Sequence, residues 1–273
     1  MKTLDNKVVA ITGAGAGIGR ALAEQLAARG AHLALSDVDL DAAQRTATAC
    51  RAQGVEARSY RLDVSDRDAV LAHADEVATD FGRVNVLINN AGVALVGELT
   101  AVSWEQVDWI TGINVGGVLN GSKAFLPYLQ TSGDGHLVNM SSMWGLVGAP
   151  TGSHYCATKF FVRGLTESLR QEMKRGGYRV GVTAVHPGYV RTDLMKSGKS
   201  AASDAQVYER TVDYVNKNVR LTPEHVAAKV ISGIRHNRAR VLIGSDVRIS
   251  DTLARVTGSG YQHLTLLAAK KFG

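Results

Sequence analysis

Hydrophobic and polar positions alternate along the chain as short apolar runs followed by longer amphipathic segments. Apolar runs bounded by turn residues predict buried strands, and apolar residues three or four positions apart predict helices. The predicted strands are 7–12, 32–36, 56–61, 84–88, 136–140, 178–185 and 239–243. The predicted helices are 20–30, 39–53, 66–81, 103–130, 154–175 and 222–237. Because strands and helices alternate throughout, we predict an α/β fold, a doubly wound sheet of about seven parallel strands with helices on both faces.

No feature of the sequence marks a domain boundary. The 273 residues include only four prolines and no low-complexity run, and α/β folds of this size often form one domain. We therefore predict one domain over 1–273. Residues 193–222 are polar and aperiodic before they become weakly helical, which is typical of a lid or binding loop. Residues 246–273 follow the last predicted strand as a C-terminal extension.

The net charge of +6 is concentrated near the C-terminus. Residues 220–273 carry nine Lys or Arg against three Asp or Glu, so the first 219 residues are neutral overall. We interpret this excess as a solvated basic surface, with contact to an acidic substrate tail, a partner or an anionic membrane surface as alternatives. No aromatic interleaving or binding motif accompanies the charge, which argues against nucleic acid.

Composition points to an ordinary globular protein, with 45% hydrophobic and 21% charged residues. No apolar stretch reaches the roughly 18 residues that a spanning helix needs. The first residues run directly into a predicted strand, so we expect no cleaved leader and a cytoplasmic protein. Two cysteines, Cys50 and Cys156, form neither a disulfide framework nor a metal site.

A glycine-rich turn separates the first predicted strand from the first predicted helix. The order strand, glycine turn, helix predicts a phosphate-binding site, because glycines admit a pyrophosphate and the helix N-terminus presents free N–H groups. Such turns also occur merely as tight joints between a strand and a helix. The residues that we assign to cofactor binding here are Gly13, Gly15, Gly17, Ile18 and Gly19.

An acid ends the second predicted strand. Asp37 is placed to bind the 2′-hydroxyl of an adenosine ribose, whereas a 2′-phosphate would meet like charge. Its neighbours Ala16 and Val38 are neutral. The sequence does not show whether the Arg20 side chain points toward this position. The sequence therefore favours NAD over NADP.

Two further segments suggest ligand contacts. Asp63 and Val64 end the third predicted strand, where the carboxylate could meet the adenine amine or, alternatively, cap the next helix. Asn90, Ala91 and Gly92 form a turn of short residues that suits close packing by a ligand.

Asn114 lies between glycines inside the predicted helix 103–130. It is a poor helix former there, which indicates a functional bend or, alternatively, a surface asparagine.

A serine, a tyrosine and a lysine carry the candidate chemistry. Tyr155 and Lys159 are four residues apart, so they share one face of a helix. A neighbouring ammonium favours the phenolate and lowers the phenol pKa from about 10, which makes a proton donor for neutral pH. Ser142 follows a predicted strand tip, where its hydroxyl could meet a reacting oxygen. The Tyr-x-x-x-Lys spacing alone is a weak signal.

Taken together, the motifs resemble the short-chain dehydrogenase/reductase family in its single-domain branch. They are TGAGAGIG (12–19), NNAG (89–92), Asn114, Ser142, YCATK (155–159) and HPGYVRT (186–192). Their order and spacing match over residues 5–245, and no motif departs from the family pattern. The resemblance implies a Rossmann-type fold, a nicotinamide cofactor and a homo-oligomer, a dimer or a homotetramer.

The resemblance also implies roles for individual residues. Tyr155 is the general acid or base, Ser142 binds the reacting oxygen, Lys159 lowers the phenol pKa and binds the nicotinamide ribose, and Asn114 holds a proton relay. Cofactor contacts are implied at Asn90, Ala91, Gly92, Pro187, Gly188, Val190 and Thr192, with Val190 and Thr192 at the carboxamide.

Two other functions use parts of the same pattern. Nucleotide-sugar epimerases and dehydratases share Tyr-x-x-x-Lys, but their chains carry a substantial C-terminal substrate domain and a different glycine spacing. A non-catalytic NAD-binding regulator would not require all four catalytic residues.

The segments 93–97, 143–152 and 189–215 are expected to form the substrate pocket. Apolar residues follow both Ser142 and the NNAG turn, which favours a hydrophobic secondary alcohol or ketone. Alternatively, these residues pack beneath the lid.

Overall fold

The computed structural model of the chain describes residues 1, 3–192, 194, 198–201, 205–219 and 221–269. Among these residues a seven-stranded sheet and a separate two-stranded sheet are found. The strands are β1 Val8–Thr12, β2 His32–Asp37, β3 Ala57–Arg61, β4 Val86–Asn89, β5 Leu95–Val96, β6 Gly135–Met140, β7 Val180–Pro187, β8 Lys199–Ser200 and β9 Arg240–Ile243. The seven predicted strands are all present, and β5 and β8 were not predicted.

The large sheet has the order β3-β2-β1-β4-β6-β7-β9, and every neighbouring pair is parallel. The chain moves outward from β1 to β3 and then returns to place β4 on the other side of β1. This reversal is the point where open α/β sheets form a ligand crevice outside the carboxyl ends of their strands. The predicted doubly wound, Rossmann-type fold is confirmed.

Helices cover both faces of the sheet. They are α1 Gly17–Ala27, α2 Leu40–Arg51, α3 Arg67–Phe81, α4 Trp104–Thr111, α5 Val118–Thr131, α6 Ser153–Arg175, α7 Ala205–Asn218, α8 Pro223–Arg235, α9 Ser245–Thr257 and α10 Tyr261–Ala269. On one face, residues of α1, α2 and α8 such as Leu26 and Ile234 form one core. On the other face, residues of α3, α5 and α6 such as Val77 and Phe125 form a second core. Strand side chains alternate between the two cores, which explains why the central strands are largely apolar, whereas the edge strand β3 exposes Arg58 and Arg61.

The predicted helix 103–130 is not continuous. A π-helical segment, Gly112–Gly117, separates α4 from α5. A Cβ added at Gly117 would lie 2.6 Å from Val64 Cγ2, so the helix passes the end of β3 more closely than a larger residue allows. The helix is therefore irregular at Asn114, where a bend was predicted, and π-helical turns occur frequently at functional sites.

The described parts of two segments beyond the predicted elements contain regular secondary structure. The expected lid, 193–222, falls partly outside the described residues, but its strand β8 pairs in parallel with β5. The extension 246–273 is helical over its described part, as α9 and α10. Among the described residues, no helix combines the length and the apolar character needed to cross a membrane.

Candidate active site

The glycine turn lies between β1 and α1, at the reversal of strand order. Gly13 has φ +64°, and a Cβ added there would lie 2.9 Å from Ala91 Cα. The helix α1 begins at Gly17 and has no acidic residue in its first turn, so its N-terminal N–H groups face no competing carboxylate on that turn. Backbone donors at the positive end of a helix, beside glycines that leave space, fit a dinucleotide phosphate.

Thr12 and Asn90 hold the two sides of this crevice together. The Thr12 hydroxyl accepts hydrogen bonds from the backbone N–H groups of Asn90, at 3.1 Å, and Ala91, at 3.0 Å. The Asn90 amide donates back to the carbonyl oxygens of Thr12, at 2.9 Å, and Gly13, at 3.0 Å. Thr12 was not predicted as a site residue, although it begins the TGAGAGIG motif.

Asp37 ends β2 against the glycine turn. Its carboxylate accepts hydrogen bonds from the backbone N–H groups of Gly15, at 2.8 Å, and Asp39, at 3.1 Å. Arg20, whose direction the sequence left open, pairs with Glu24 at 2.7 Å. The carboxylate is therefore fixed beside the glycine turn, and Arg20, which follows the motif, is paired with an acid on its own helix.

Asp63 does not cap the next helix. Its carboxylate accepts hydrogen bonds from the backbone N–H of Ser65, at 2.9 Å, and from the Ser65 hydroxyl, at 2.6 Å. The cap of α3 is Asp66, whose side chain accepts from Ala69 N. The capping alternative for Asp63 is wrong, and both Asp63 and Val64 line the cleft.

Ser142 and Tyr155 line the same cleft, close enough for the serine side chain to favour the phenolate form of Tyr155. Ser142 lies just beyond β6, and Tyr155 lies in the first turn of α6. His186 fixes the backbone at Ser142, because its Nδ1 lies 2.9 Å from the Ser142 carbonyl oxygen. Burial lowers the pKa of His186 to about 4. The imidazole is therefore neutral near pH 7, and its Nδ1 carries the proton that it donates to this carbonyl.

Lys159 is buried one helical turn beyond Tyr155. Its ammonium donates to the Met140 carbonyl oxygen at 3.2 Å and lies 5.6 Å from the centroid of the Tyr155 ring. Burial lowers the pKa of Lys159 to about 8, since desolvation disfavours the charged form.

The pKa of Tyr155 does not move in the expected direction in this structure. Burial raises the pKa of Tyr155 to about 12, and the hydrogen bond with Ser142 acts in the opposite direction. The expected lowering by Lys159 is not seen, because the ammonium faces the ring at 5.6 Å and bonds to a backbone carbonyl.

Asn114 is fully buried in the π-helical segment. Its amide donates to the Val93 carbonyl at 2.9 Å and to the Thr158 hydroxyl at 3.2 Å, and its oxygen accepts from the Val93 N–H at 2.9 Å. The surface alternative for Asn114 is wrong. A Cβ added at Gly92 would lie 3.2 Å from the Asn114 oxygen and 3.3 Å from Lys159 Nζ. A side chain at position 92 would therefore crowd both Asn114 and Lys159.

One cleft of about 1490 Å³ brings most of the predicted residues together. Gly15, Gly19 and Asn114 are not on its wall. Those on its wall are Gly13, Gly17, Ile18, Asp37, Asp63, Val64, Asn90, Ala91, Gly92, Ser142, Tyr155, Lys159, Pro187, Gly188, Val190 and Thr192. The C-terminal helices also contribute lining residues that were not predicted, and these are Asp246, Ile249, Ser250, Leu253, Tyr261, Leu264 and Thr265. Among the described residues, no three His, Cys, Asp or Glu side chains are grouped to hold a metal ion.

The lowered pKa of Lys159 predicts a pH dependence of stability. The unfolded chain keeps this proton up to about pH 10.5, whereas the folded protein releases it near pH 8. Because the unfolded state binds more protons between these values, the free energy of unfolding should rise with pH there, by at most about 1.4 kcal/mol per pH unit. Urea unfolding of the wild type and Lys159→Met measures this effect. The stability difference between them should change with pH above 8, and a constant difference would contradict the lowered pKa.

Known proteins of the same family are similar to this chain over most of its length. The profile of the short chain dehydrogenase family matches residues 7–203. SadH of Mycobacterium tuberculosis, a protein assigned as an oxidoreductase, is 43% identical over 273 residues, which are 100% of this chain and 98% of that protein. Estradiol 17-beta-dehydrogenase 11 of Mus musculus is 29% identical over 257 residues, which are 93% of this chain and 81% of that protein.

A solved structure extends the match to nearly the whole fold. A short chain dehydrogenase/reductase from Burkholderia phymatum, in complex with NAD, superposes with a TM-score of 0.90 and is 32% identical. The match covers 96% of this chain and 97% of that chain. The profile, the relatives and the superposed structure agree with the motifs, and this chain therefore belongs to the short-chain dehydrogenase/reductase family of oxidoreductases.

Proposed function

We propose that this protein interconverts a hydrophobic secondary alcohol and its ketone, with NAD as cofactor and Tyr155 as general acid or base. The observation that carries the proposal is that Ser142, Tyr155 and Lys159 line the same cleft as the glycine turn. A proton donor and a dinucleotide site within one cleft suit the reduction of a carbonyl group.

The cofactor would be held at the reversal of strand order. The N-terminus of α1 and the glycines before it would bind the pyrophosphate, and Asp37 would bind the adenosine ribose. Bound NAD supplies the hydride acceptor for the alcohol or, when reduced, the hydride donor for the ketone. Thr192 supports this placement, since its Cγ2 would lie 3.4 Å from a Cβ added at Gly17, close to the glycine turn.

The side chains of this protein would handle the proton and the charge on oxygen. In ketone reduction the Tyr155 hydroxyl donates its proton to the developing alkoxide, and the Ser142 hydroxyl donates a hydrogen bond to the same oxygen. Lys159 would place its ammonium below the tyrosine ring. A buried ammonium with a pKa of about 8 can gain or lose a proton near neutral pH, which suits a residue beside a proton donor.

Asn114 and His186 would act as positioning residues. Asn114 joins the turn after β4 to α6 through its bonds to Val93 and Thr158. His186 holds the backbone at Ser142. Both contacts restrict the elements that carry the serine and the tyrosine, and such restriction is needed to keep the reacting groups aligned.

The lining of the cleft favours an apolar substrate. Leu95, Met143, Val147, Tyr189 and Leu253 are among the residues that line the cleft. The name of one relative denotes a dehydrogenase that acts on estradiol, which is itself a hydrophobic alcohol. Both observations support a hydrophobic substrate rather than a sugar or a small hydroxy acid.

A homologous series of alcohols tests this proposal. Each methylene that is buried contributes about 0.8 kcal/mol, and an open cleft buries part of each. KM should therefore fall at least about tenfold from 2-butanol to 2-octanol when NAD reduction is followed by absorbance. Xylitol and sorbitol serve as polyol controls. A flat series, or faster turnover of the polyols, would contradict the hydrophobic substrate.

A further inference from the structure

The C-terminal helices form one wall of the cleft, although the sequence suggested only an extension. Ile249 and Leu253 are four residues apart on α9, so they lie on one face and both line the cleft. Tyr261 and Leu264 on α10 line it as well. This wall faces a cavity whose glycine turn, catalytic pair and apolar lining belong to other parts of the chain.

A hydrogen bond fastens α10 to the catalytic part of the fold. The Tyr261 hydroxyl accepts from the backbone N–H of Gly148 at 3.1 Å. Gly148 belongs to the segment between Ser142 and α6. The rings and side chains of Trp144, Val147, Ala254 and Tyr261 pack with Val247 in one apolar cluster. The helices α9 and α10 are therefore attached to the segment that connects the catalytic serine to the catalytic tyrosine.

The wall also presents uncovered apolar surface to the cleft. Ile249 is 59% exposed and Leu264 is 49% exposed, yet both line the cavity. The cavity of about 1490 Å³ exceeds the roughly 300–1,000 Å³ that is typical of a site for one small ligand. A dinucleotide and a sizeable apolar molecule fit this volume better than a dinucleotide and a small alcohol.

We propose that α9 and α10 form a distal subsite that binds the apolar body of a large ketone or secondary alcohol. The reacting oxygen lies at Ser142 and Tyr155, and the far end of the substrate covers Leu264 and Ile249. The proposal rests on the proposed function for the nature of the reacting group. It adds that the C-terminal helices select substrates by size, through contacts that a short-chain alcohol does not reach.

Leu264 and Leu267 provide a matched pair for the test. Both are leucines on α10 with similar exposure, 49% and 59%, but only Leu264 lines the cleft. With NADH and Leu264→Ala, kcat/KM for 2-decanone should fall about tenfold, or ~1.4 kcal/mol, while the value for 2-butanone changes less than about twofold. Leu267→Ala should leave both values near those of the wild type.

Binding without turnover separates this proposal from the proposed function. Calorimetric titration of 2-decanone into protein saturated with NAD⁺ should give a Kd that rises about tenfold in Leu264→Ala and is unchanged in Leu267→Ala. Thermal unfolding of both variants checks that they remain folded. If the wild type binds 2-decanone with this dependence but reduces no ketone, the proposed function fails and the subsite stands. Equal effects of the two substitutions, equal losses for both ketones, or no binding of 2-decanone would overturn the subsite.

Discussion

Replacing Tyr155 with phenylalanine is expected to lower turnover about 10²–10⁴-fold, the usual cost of removing a positioned general acid. The ring would remain in place, so its packing against Lys159 and the cleft should persist. Only the hydroxyl is lost, and with it the proton that ketone reduction requires. Binding of NADH, followed by its fluorescence, should therefore stay within a few fold of the wild type.

The environment of this hydroxyl explains why no other group should replace it easily. Ser142 lines the same cleft as Tyr155, but an unperturbed serine hydroxyl is a far weaker acid than a phenol. His186 bonds to the backbone behind Ser142 and, with a pKa of about 4, is neutral near pH 7. Lys159 is directed at a backbone carbonyl. Lys159 also lines the cleft, but its bond to that carbonyl holds the ammonium away from the substrate oxygen, and we therefore expect Tyr155 to donate the proton.

Tyr189→Phe is the matched control for this experiment. Tyr189 lines the same cleft, and its ring packs edge-on against Trp144 at 6.3 Å. The turnover of Tyr189→Phe should stay within about threefold of the wild-type value. This change is far smaller than the loss expected on removal of a general acid. Near-normal turnover in Tyr155→Phe would show that the proton comes from another group.

Most of the sheet could be predicted because its central strands are buried between two helical layers. β1 has five buried residues in a row, and no polar residue interrupts that pattern. The ends of the strands were less predictable where polar residues continue the pairing between strands. Asn89 extends β4 by pairing with Asn139 on the next strand, and its side chain also donates to the Asn139 amide oxygen at 2.8 Å, while β7 continues through His186 to Pro187. Hydrophobicity alone does not report such side-chain bonds.

The site was predictable where its residues follow strand ends in recognisable motifs. The glycine turn, Asp37, Ser142 and Tyr155 all lie on or beside the one cleft, as their motifs indicated. By contrast, the hydrogen bond from the Gly148 N–H to the Tyr261 hydroxyl joins residues 113 positions apart. No local pattern reports a contact of that range. The direction of the Tyr155 pKa shift likewise depends on burial and on the distance to Lys159, which the i,i+4 spacing does not determine.

The lid illustrates a third limit of the sequence. Its polar composition suggested a segment that closes over the substrate, but β8 within it pairs with β5 and Ala201 is buried. Gln106 on α4 also donates to the Ser200 carbonyl at 3.1 Å. Pairing between two-residue strands leaves no periodic signal, because two residues are too few to show alternation.

Cofactor choice is expected to depend on the charge of Asp37. This carboxylate is fixed against the glycine turn by its bond to Gly15 N at 2.8 Å, so it cannot swing away from an incoming ribose without losing that bond. A 2′-phosphate placed there would meet a like charge, which costs several kcal/mol when water is excluded. The wild type should therefore use NAD about 10²-fold more efficiently than NADP, a difference of ~2.7 kcal/mol. Steady-state kcat/KM for each cofactor at a fixed alcohol concentration measures it.

Two substitutions separate the charge of Asp37 from its hydrogen bond. Asp37→Asn keeps an oxygen that can accept from Gly15 N but removes the charge, whereas Asp37→Ala removes both. Both should narrow the preference for NAD to less than about tenfold, and Asp37→Ala should also weaken NAD binding because the glycine turn loses its anchor. Asp41→Ala, an exposed acid at the start of α2, removes the same charge outside the cleft and should leave the preference unchanged. Equal use of both cofactors by the wild type, or a preference that survives in Asp37→Asn, would show that a group other than this carboxylate selects the cofactor.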